Sequence, residues 1–158
     1  MKKKISISVL IFVVITILYN YNKFYGINDD KIIPNFKYEN INGLKVEKKH
    51  FNPYKKTLII YFNTDCYSCK SEILDKRIFD LKKKYNIIFI TSESDIEKIK
   101  DFINYGELKK ENISLLIDKN DDFASDFKIG LYYQLPLFIS YDKRGTNKTI
   151  IGDISTLY

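Results

Sequence analysis

The sequence predicts an α/β fold in which a central mixed β-sheet is flanked by helices. The apolar run Thr57–Asn63 is typical of a strand buried on both faces. Helical spacing of apolar residues follows over Ser68–Tyr85, and a second apolar run covers Ile87–Thr91. Strand, helix and strand in this order favour a right-handed unit with parallel strands. Segments separated by turns near both ends of the domain add antiparallel strands.

The first of these antiparallel pairs is an N-terminal β-hairpin. Phe36–Glu39 and Leu44–Lys48 flank the turn sequence Asn40–Gly43. The Asn42-Gly43 dipeptide favours a hairpin turn because both residue types tolerate positive φ.

Two helices and a third strand are expected after the second apolar run. Ser94 and Glu97 are spaced as a capping box, which predicts a helix start. The segment 113–117 predicts a buried strand, and a short helix is expected over 121–127, beginning at aspartate 121 or 122.

A proline opens the last hairpin. Leu135–Tyr141 reads as a strand, and Pro136 suits its start because proline has no N–H to donate to a sheet. The turn Asp142–Gly145 leads to an antiparallel partner at Lys148–Ile151. The residues from Asp153 onward are too few for a stable helix. We therefore expect no C-terminal helix, and a sheet face that is partly exposed or covered by another chain.

The N-terminal segment has the pattern of a membrane-targeting leader. Three lysines at 2–4 precede an apolar stretch over Ile5–Tyr19, and no pair of small residues marks a cleavage site after it. The leader therefore predicts a signal-anchor with its positive end inside, or a cleaved signal peptide. The first alternative predicts a single-pass protein of the bacterial cytoplasmic membrane with an extracytoplasmic or periplasmic domain, and the second a secreted or periplasmic one. The predicted division is a leader over 1–26 with a transmembrane segment at about 5–21, a linker over 27–34 and a folded domain over 35–158.

The charge of the chain does not point to nucleic acid. The net charge is +6, from 26 basic and 20 acidic residues, but four of the lysines and none of the acids lie in 1–26. The rest of the chain therefore has 22 basic and 20 acidic residues. We expect no concentrated basic face and no nucleic-acid partner.

The only two cysteines, Cys66 and Cys69, stand where the first strand gives way to the helix. The N-terminus of a helix stabilises a thiolate, which is the nucleophile in disulfide exchange. A disulfide between residues three apart closes almost no loop, so its contribution to stability is small. The pair is better suited to redox chemistry than to structural crosslinking.

These features together resemble the thioredoxin superfamily, which has a buried strand, a C-x-x-C motif at the next helix and a proline before a later hairpin. The progression Ile33-Pro34-Asn35-Phe36, then Asn42-Gly43, then Thr57–Cys69 is similar to membrane-anchored TlpA/ResA-like thiol–disulfide oxidoreductases and related redoxins. The resemblance covers about residues 33–152. It implies a thioredoxin-like fold with a cis peptide bond before Pro136, next to the two cysteines.

The resemblance also implies a function and its residues. Cys66 would form a mixed disulfide with a substrate protein, and Cys69 would resolve it. Pro136 and Leu135 would shape a groove for the substrate, while Tyr67 and Ser68 would tune the reduction potential. The redox-active disulfide would serve without a metal or other cofactor, and the partners would be protein thiols or disulfides and a redox partner.

Two departures from the family concern charge and proton transfer. Asp65 replaces the aromatic residue that usually precedes the first cysteine, and its carboxylate opposes thiolate formation. Ile60 stands where many relatives have a polar residue, so no buried carboxylate is evident to shuttle the proton of Cys69. Glu72, one turn beyond Cys69, is a possible proton shuttle.

Three alternatives remain open at this stage. A peroxiredoxin-like thiol peroxidase would need a positioned arginine, for which only Arg77 and Arg144 exist. A metal site, copper(I) for example, would use the two thiols, with His50 as a distant further ligand. A partner-binding module would use the sheet face that lacks a covering helix.

Overall fold

A computed structural model describes residues 11–17, 32–73, 77–105, 114–130 and 132–157. Residues 11–17 form helix α1, whose side chains are all exposed. No helix among the described residues is long and apolar enough to cross a bilayer. Most of the predicted transmembrane segment lies outside the described residues, so the leader stays a prediction.

The domain alternates strands and short helices. In chain order they are β1 (Lys37–Asn40), β2 (Lys45–Glu47), β3 (Lys56–Phe62), α2 (Tyr67–Ile73), α3 (Arg77–Asp80), β4 (Tyr85–Thr91), α4 (Ile96–Tyr105), β5 (Ser114–Ile117), α5 (Phe123–Asp126), β6 (Leu137–Tyr141) and β7 (Lys148–Ile151). Single 3₁₀ turns lie at Lys48–His50, Leu81–Lys83 and Ile154–Leu157. The helix predicted over 68–85 gives way to a 3₁₀ turn at Leu81–Lys83, and Tyr85 already belongs to β4.

Within the described residues the strands form one mixed sheet in the order β2-β1-β5-β4-β3-β6-β7. β3 pairs in parallel with β4 and antiparallel with β6, and β4 pairs in parallel with β5. The mixed sheet, the parallel β3–β4 unit and the two antiparallel hairpins confirm the predicted fold class.

Strand β3 lies at the centre of the core. Its residues alternate between the two faces of the sheet, and Leu58–Phe62 are all buried. Ile60 and Phe62 pack on the face covered by α2 and α4, while Ile59 and Tyr61 pack on the face covered by α5. Burial on both faces explains why β3 is a continuous apolar run rather than an alternating one.

The β1–β2 turn forms at the predicted place but for a different reason. Only Gly43 has a positive φ, of 76°, whereas Asn42 does not. The side chain of Asn40 accepts hydrogen bonds from the backbone N–H groups of Asn42 and Leu44, both at 2.9 Å. The turn therefore depends on Asn40 and Gly43.

The predicted cap of α4 is wrong by one residue. The carboxylate of Asp95 accepts hydrogen bonds from the N–H groups of Glu97 at 2.9 Å and Lys98 at 3.4 Å. Asp95 donates its own N–H to the side chain of Glu93 at 2.8 Å. This bond fixes the chain so that Asp95, and not Ser94, occupies the capping position.

Apolar side chains at both margins of the domain are buried. Ile154 in the last 3₁₀ turn is buried and packs with Phe138 and Ile151 on the α2–α4 face. Ile154 therefore covers part of this face, on which Ser140 is half-buried and Thr149 is exposed, in keeping with the expected partial exposure. Ile33, assigned to the linker, is 6% exposed and packs in the opposite core cluster. The packed domain thus includes Ile33, two residues before the predicted boundary.

A buried carboxylate, Asp118, connects the sheet to α5. It accepts hydrogen bonds from the N–H groups of Asp122 at 2.9 Å and Phe123 at 3.1 Å, and from the hydroxyl of Tyr61 at 3.2 Å. Burial raises the pKa of Asp118. The ring of Tyr61 stacks on Phe123 with centroids 3.8 Å apart. Asp118 therefore caps a helix too short to be stable alone.

Replacing Asp118 tests this connection. We expect Asp118→Ala to lower the free energy of unfolding by about 2–4 kcal/mol, because it leaves buried donors without an acceptor. The matched control is Asp122→Ala, since Asp122 is exposed and its side chain does not cap α5. The control should change stability by less than about 0.5 kcal/mol in urea unfolding. Equal effects of the two variants would contradict this account.

Candidate active site

The connection after β3 places Cys66 directly before α2. The side chain of Asn63 accepts a hydrogen bond from the N–H of Asp65 at 2.8 Å, and its backbone carbonyl accepts one from Cys66 at 3.3 Å. The Cys66 carbonyl in turn accepts the N–H of Lys70 at 3.3 Å. Cys66 therefore closes the turn through its N–H and accepts the first hydrogen bond of the helix through its carbonyl. This places Cys66 at the N-terminus of α2.

Cys66 and Cys69 form a disulfide with their Cα atoms 5.2 Å apart. Cys69 is fully buried against the α2–α4 face of the sheet, whereas Cys66 is partly exposed. The N–H of Cys69 donates to the sulfur of Cys66 at 3.2 Å. The outer sulfur is therefore the one a second molecule can reach, and it already has a backbone donor that stabilises a thiolate.

The hairpin β6–β7 brings Pro136 to the same place. The Leu135–Pro136 peptide bond is cis, as the family resemblance implies. The carbonyl oxygen of Leu135 lies 3.7 Å from the sulfur of Cys66. Because β6 runs antiparallel to β3, the start of β6 lies beside the end of β3. Sheet register thus juxtaposes two segments separated by most of the domain in sequence.

Ser68 bridges these segments. Its hydroxyl donates to the Leu135 carbonyl at 3.0 Å and lies 3.2 Å from the sulfur of Cys66. In the disulfide state the Leu135 carbonyl oxygen is a stronger hydrogen-bond acceptor than the Cys66 sulfur. Once Cys66 becomes a thiolate, the hydroxyl has a charged acceptor within the same reach. Ser68 is therefore placed where it could act on Cys66, and its predicted role in tuning the pair stays a prediction.

A cavity of about 390 Å³ lies beside the cis peptide. Leu135, Pro136, Glu72, Tyr132 and Tyr133 are among its lining residues. Burial raises the pKa of Glu72, and the charge of Asp153 raises it further. The structure thus brings Leu135, Pro136 and Glu72 together. Tyr67, by contrast, is 89% exposed and does not line this cavity.

The charge of Asp65 is offset by a lysine that sequence reasoning missed. Lys98 in α4 lies 3.3 Å from the carboxylate of Asp65 and 3.6 Å from that of Glu93. The hydrogen bond to Asp65 raises the pKa of Lys98. Glu93 also accepts the hydroxyl of Thr64 at 3.1 Å. No local motif signals this pairing, because Lys98 and Asp65 are joined only by the parallel β3–β4 unit.

The structure supplies no carboxylate at position 60. Ile60 is fully buried and packs on the same face as Cys69. The buried carboxylate of Asp118 bonds Tyr61, which points to the opposite face. Asp118 is therefore separated from Cys69 by the sheet, and Glu72 stays the candidate for proton transfer.

The residues of two alternatives lie away from the cysteines. Arg144, in the β6–β7 turn, lies at the end of the sheet opposite Cys66. The imidazole of His50 accepts the N–H of Glu47 through Nδ1 at 2.9 Å. Among the described residues, no group of three or more histidines, cysteines or acids is arranged to hold a metal ion. Neither alternative gains a contact at the cysteines from these two residues.

Comparison with known proteins identifies the fold. No family model matches the chain, and no curated protein matches it in sequence. The thioredoxin domain of a thiol-disulfide oxidoreductase from Bacteroides vulgatus is similar in structure, with a TM-score of 0.65, 19% identity, and coverage of 82% of this chain and 92% of that one. A secreted Mycobacterium tuberculosis disulfide oxidoreductase homologous to E. coli DsbE is similar with a TM-score of 0.62 and 16% identity. That match covers 75% of this chain and 84% of the other. A putative thioredoxin from Neisseria meningitidis has a TM-score of 0.63 and 21% identity, with coverage of 82% of this chain and 87% of that one. The predicted thioredoxin-like fold is confirmed.

Lys98 can be tested through the reactivity of Cys66. In the reduced protein we expect Lys98→Met to slow alkylation of Cys66 at pH 7 about two- to threefold, because Asp65 then opposes the thiolate unscreened. Lys100→Met is the matched control, since Lys100 pairs with Glu97 instead. Adding Asp65→Asn to Lys98→Met should restore the rate. Unchanged alkylation in Lys98→Met would contradict the role of Lys98.

Ser68 is tested in the same assay. Ser68→Ala should reduce the alkylation rate at pH 7 about three- to tenfold and shift its pH profile upward, because a donor to the thiolate is lost. Ser68→Thr, which keeps the hydroxyl, should retain most of the rate. Ser71→Ala serves as the control, because the Ser71 hydroxyl bonds the carbonyl of Ser68. A wild-type profile for Ser68→Ala would show that its hydroxyl does not act on Cys66.

Proposed function

We propose that the protein is a thiol–disulfide oxidoreductase that exchanges electrons with disulfides of substrate proteins through Cys66 and Cys69. One observation carries the proposal: a partly exposed Cys66 is bonded to a buried Cys69 beside the cis Leu135–Pro136 peptide. The similar structures from Bacteroides vulgatus and Mycobacterium tuberculosis are those of disulfide oxidoreductases, which supports the proposal. The contrast in exposure supports attack by Cys66 and resolution by Cys69.

In the reducing direction the Cys66 thiolate attacks one sulfur of a substrate disulfide. A Cys66–substrate disulfide forms, and the other substrate sulfur leaves as a thiolate. The Cys69 thiolate then attacks the Cys66 sulfur and releases the second substrate thiol. The substrate gains two electrons and two protons overall, and the Cys66–Cys69 disulfide forms. The oxidising direction is the reverse sequence.

The neighbouring groups have distinct roles in this proposal. The N–H of Cys69 and the hydroxyl of Ser68 stabilise the Cys66 thiolate from 3.2 Å. Glu72 takes the proton of Cys69, a role supported by its position one turn further along α2 and by its raised pKa. The cavity beside Pro136 receives the substrate segment that flanks the attacked cysteine.

We further propose that the exchange takes place outside the cytoplasm. The support is the sequence of the leader, in which lysines at 2–4 precede the apolar stretch from Ile5. An uncleaved leader would hold the domain on the outer side of the bacterial cytoplasmic membrane. A mature protein that begins near residue 26 would replace the anchor with a secreted form.

Two serine variants test the exchange and the assignment of roles. With a protein disulfide as substrate, Cys66→Ser should abolish exchange, because no accessible thiolate remains to attack. Cys69→Ser should accumulate a mixed disulfide with the substrate through Cys66, detected by non-reducing electrophoresis and mass spectrometry. Ser71→Ala is the control and should turn over like the wild type. Full activity in Cys66→Ser, or a mixed disulfide on Cys69 in the wild type, would overturn the assignment.

A further inference from the structure

A second cavity of about 400 Å³ lies at the end of the sheet opposite the cysteines. Lys55 and Thr57, at the start of β3, line it together with the turn Asp142–Gly145 that follows β6. The antiparallel pairing of Thr57 with Tyr141 brings these segments together. Because Cys66 follows the other end of β3, the cavity and the redox site lie about 20 Å apart along the strand.

This cavity concentrates positive charge. Five basic side chains line it, with a single acid, Asp142. The basic residues are Lys48, Lys49, Lys55, Lys143 and Arg144. Residues 27–158 together have only two more basic than acidic residues, so the residues that line the cavity carry more net charge than all of 27–158. The expectation that no basic face exists is therefore wrong. Folding brings together residues from two distant parts of the chain, which a count along the sequence does not reveal.

Most of this charge is not neutralised: of the five basic residues, only Lys49 pairs with a carboxylate among the described residues, that of Glu47 at 2.8 Å. The amino groups of Lys48 and Lys55 bond the backbone carbonyls of Ile33 and Lys82, at 2.9 and 2.8 Å, and a carbonyl carries no full charge. Within the described part of the chain, the side chains of Lys143 and Arg144 form no hydrogen bond or ion pair. Asp142 is occupied by the side chain of Asn147, at 2.8 Å, and by Thr146. The cavity therefore suits a polyanionic surface.

The chain enters the domain at this cavity. Ile33 lines it and donates its N–H to the carbonyl of Gly145 at 2.7 Å. Ile32 and Ile33 also line an adjoining cavity, which shares Lys48 and adds one base and one acid, Lys128 and Asp126. The chain that follows the predicted leader therefore enters the domain at its basic end and not at its redox end.

We propose that this basic cavity rests against anionic phospholipid headgroups of the bilayer that holds the leader. The inference rests on the proposed membrane leader, and it adds the orientation of the domain. Lysines and arginines close to a membrane surface bind anionic lipid by electrostatic attraction. An apolar leader and a basic cavity at one end of the domain fit such a surface together. The contact would direct Cys66 and Pro136 away from the membrane, toward partner proteins.

The test uses the full chain reconstituted in lipid nanodiscs, followed by hydrogen exchange. Discs of phosphatidylcholine with 30% phosphatidylglycerol are compared with discs of pure phosphatidylcholine. In the anionic discs, the amides over 48–55 and 142–147 should exchange about fivefold more slowly. This is the effect expected when even one basic residue binds the anionic surface. High salt should remove the difference. The double variant Lys143→Gln/Arg144→Gln should lose it, while Lys100→Gln/Lys119→Gln, which removes two charges from α4 and the turn after β5, should keep it.

Three results would overturn the inference: equal exchange in both disc types, protection around Cys66 instead, or a chain that neither disc retains. If millimolar inorganic phosphate protects the same amides in pure phosphatidylcholine, the cavity is a small-anion site and the inference is also wrong. Disulfide exchange by the same reconstituted protein is measured separately. Loss of disulfide exchange would count against the proposed function, but it would not change what the hydrogen-exchange result says about lipid contact.

Discussion

The central position of β3 is the constraint on which the rest of the molecule depends. Its residues are buried on both faces, and its backbone is paired with β4 on one side and β6 on the other. The parallel neighbour brings Lys98 to Asp65, and the antiparallel neighbour brings Pro136 to Cys66. The same register places the β6–β7 turn at the far end. One strand thus fixes the redox site and the basic cavity at opposite ends of the domain.

At the redox site, the balance between charged and uncharged forms of Cys66 decides reactivity. The helix N-terminus, the N–H of Cys69 and the hydroxyl of Ser68 favour the thiolate, while Asp65 disfavours it. Lys98 weakens that opposition through an exposed ion pair, which is modest in energy and sensitive to salt. Cys69, buried against the core, lacks such donors among the contacts described above. This asymmetry explains why two identical side chains three residues apart are suited to different steps.

The sequence predicted the parts of the fold whose signals are local. Continuous apolar runs identified β3 and β4, and proline identified the start of the β6 segment. Contacts between distant segments could not be predicted from the sequence. The Lys98–Asp65 pair, the Ser68–Leu135 bond and the basic cavity each form only because the sheet register brings distant segments together. The α4 cap was missed by one residue because Glu93 fixes the preceding backbone. The contribution of the last 3₁₀ turn to the α2–α4 face was not predicted, because a segment too short for a stable helix still buries Ile154.

We propose that the Cys66–Cys69 disulfide exchanges electrons with partner proteins, and the equilibrium reduction potential of this pair tests that claim most directly. Titration of the purified protein against defined thiol–disulfide buffers, with alkylation and mass spectrometry to count free thiols, gives this value. We expect one two-electron transition between about −120 and −270 mV, the range of disulfides that exchange with partner proteins. A disulfide that stays oxidised below about −300 mV would behave as a structural crosslink and would contradict the account.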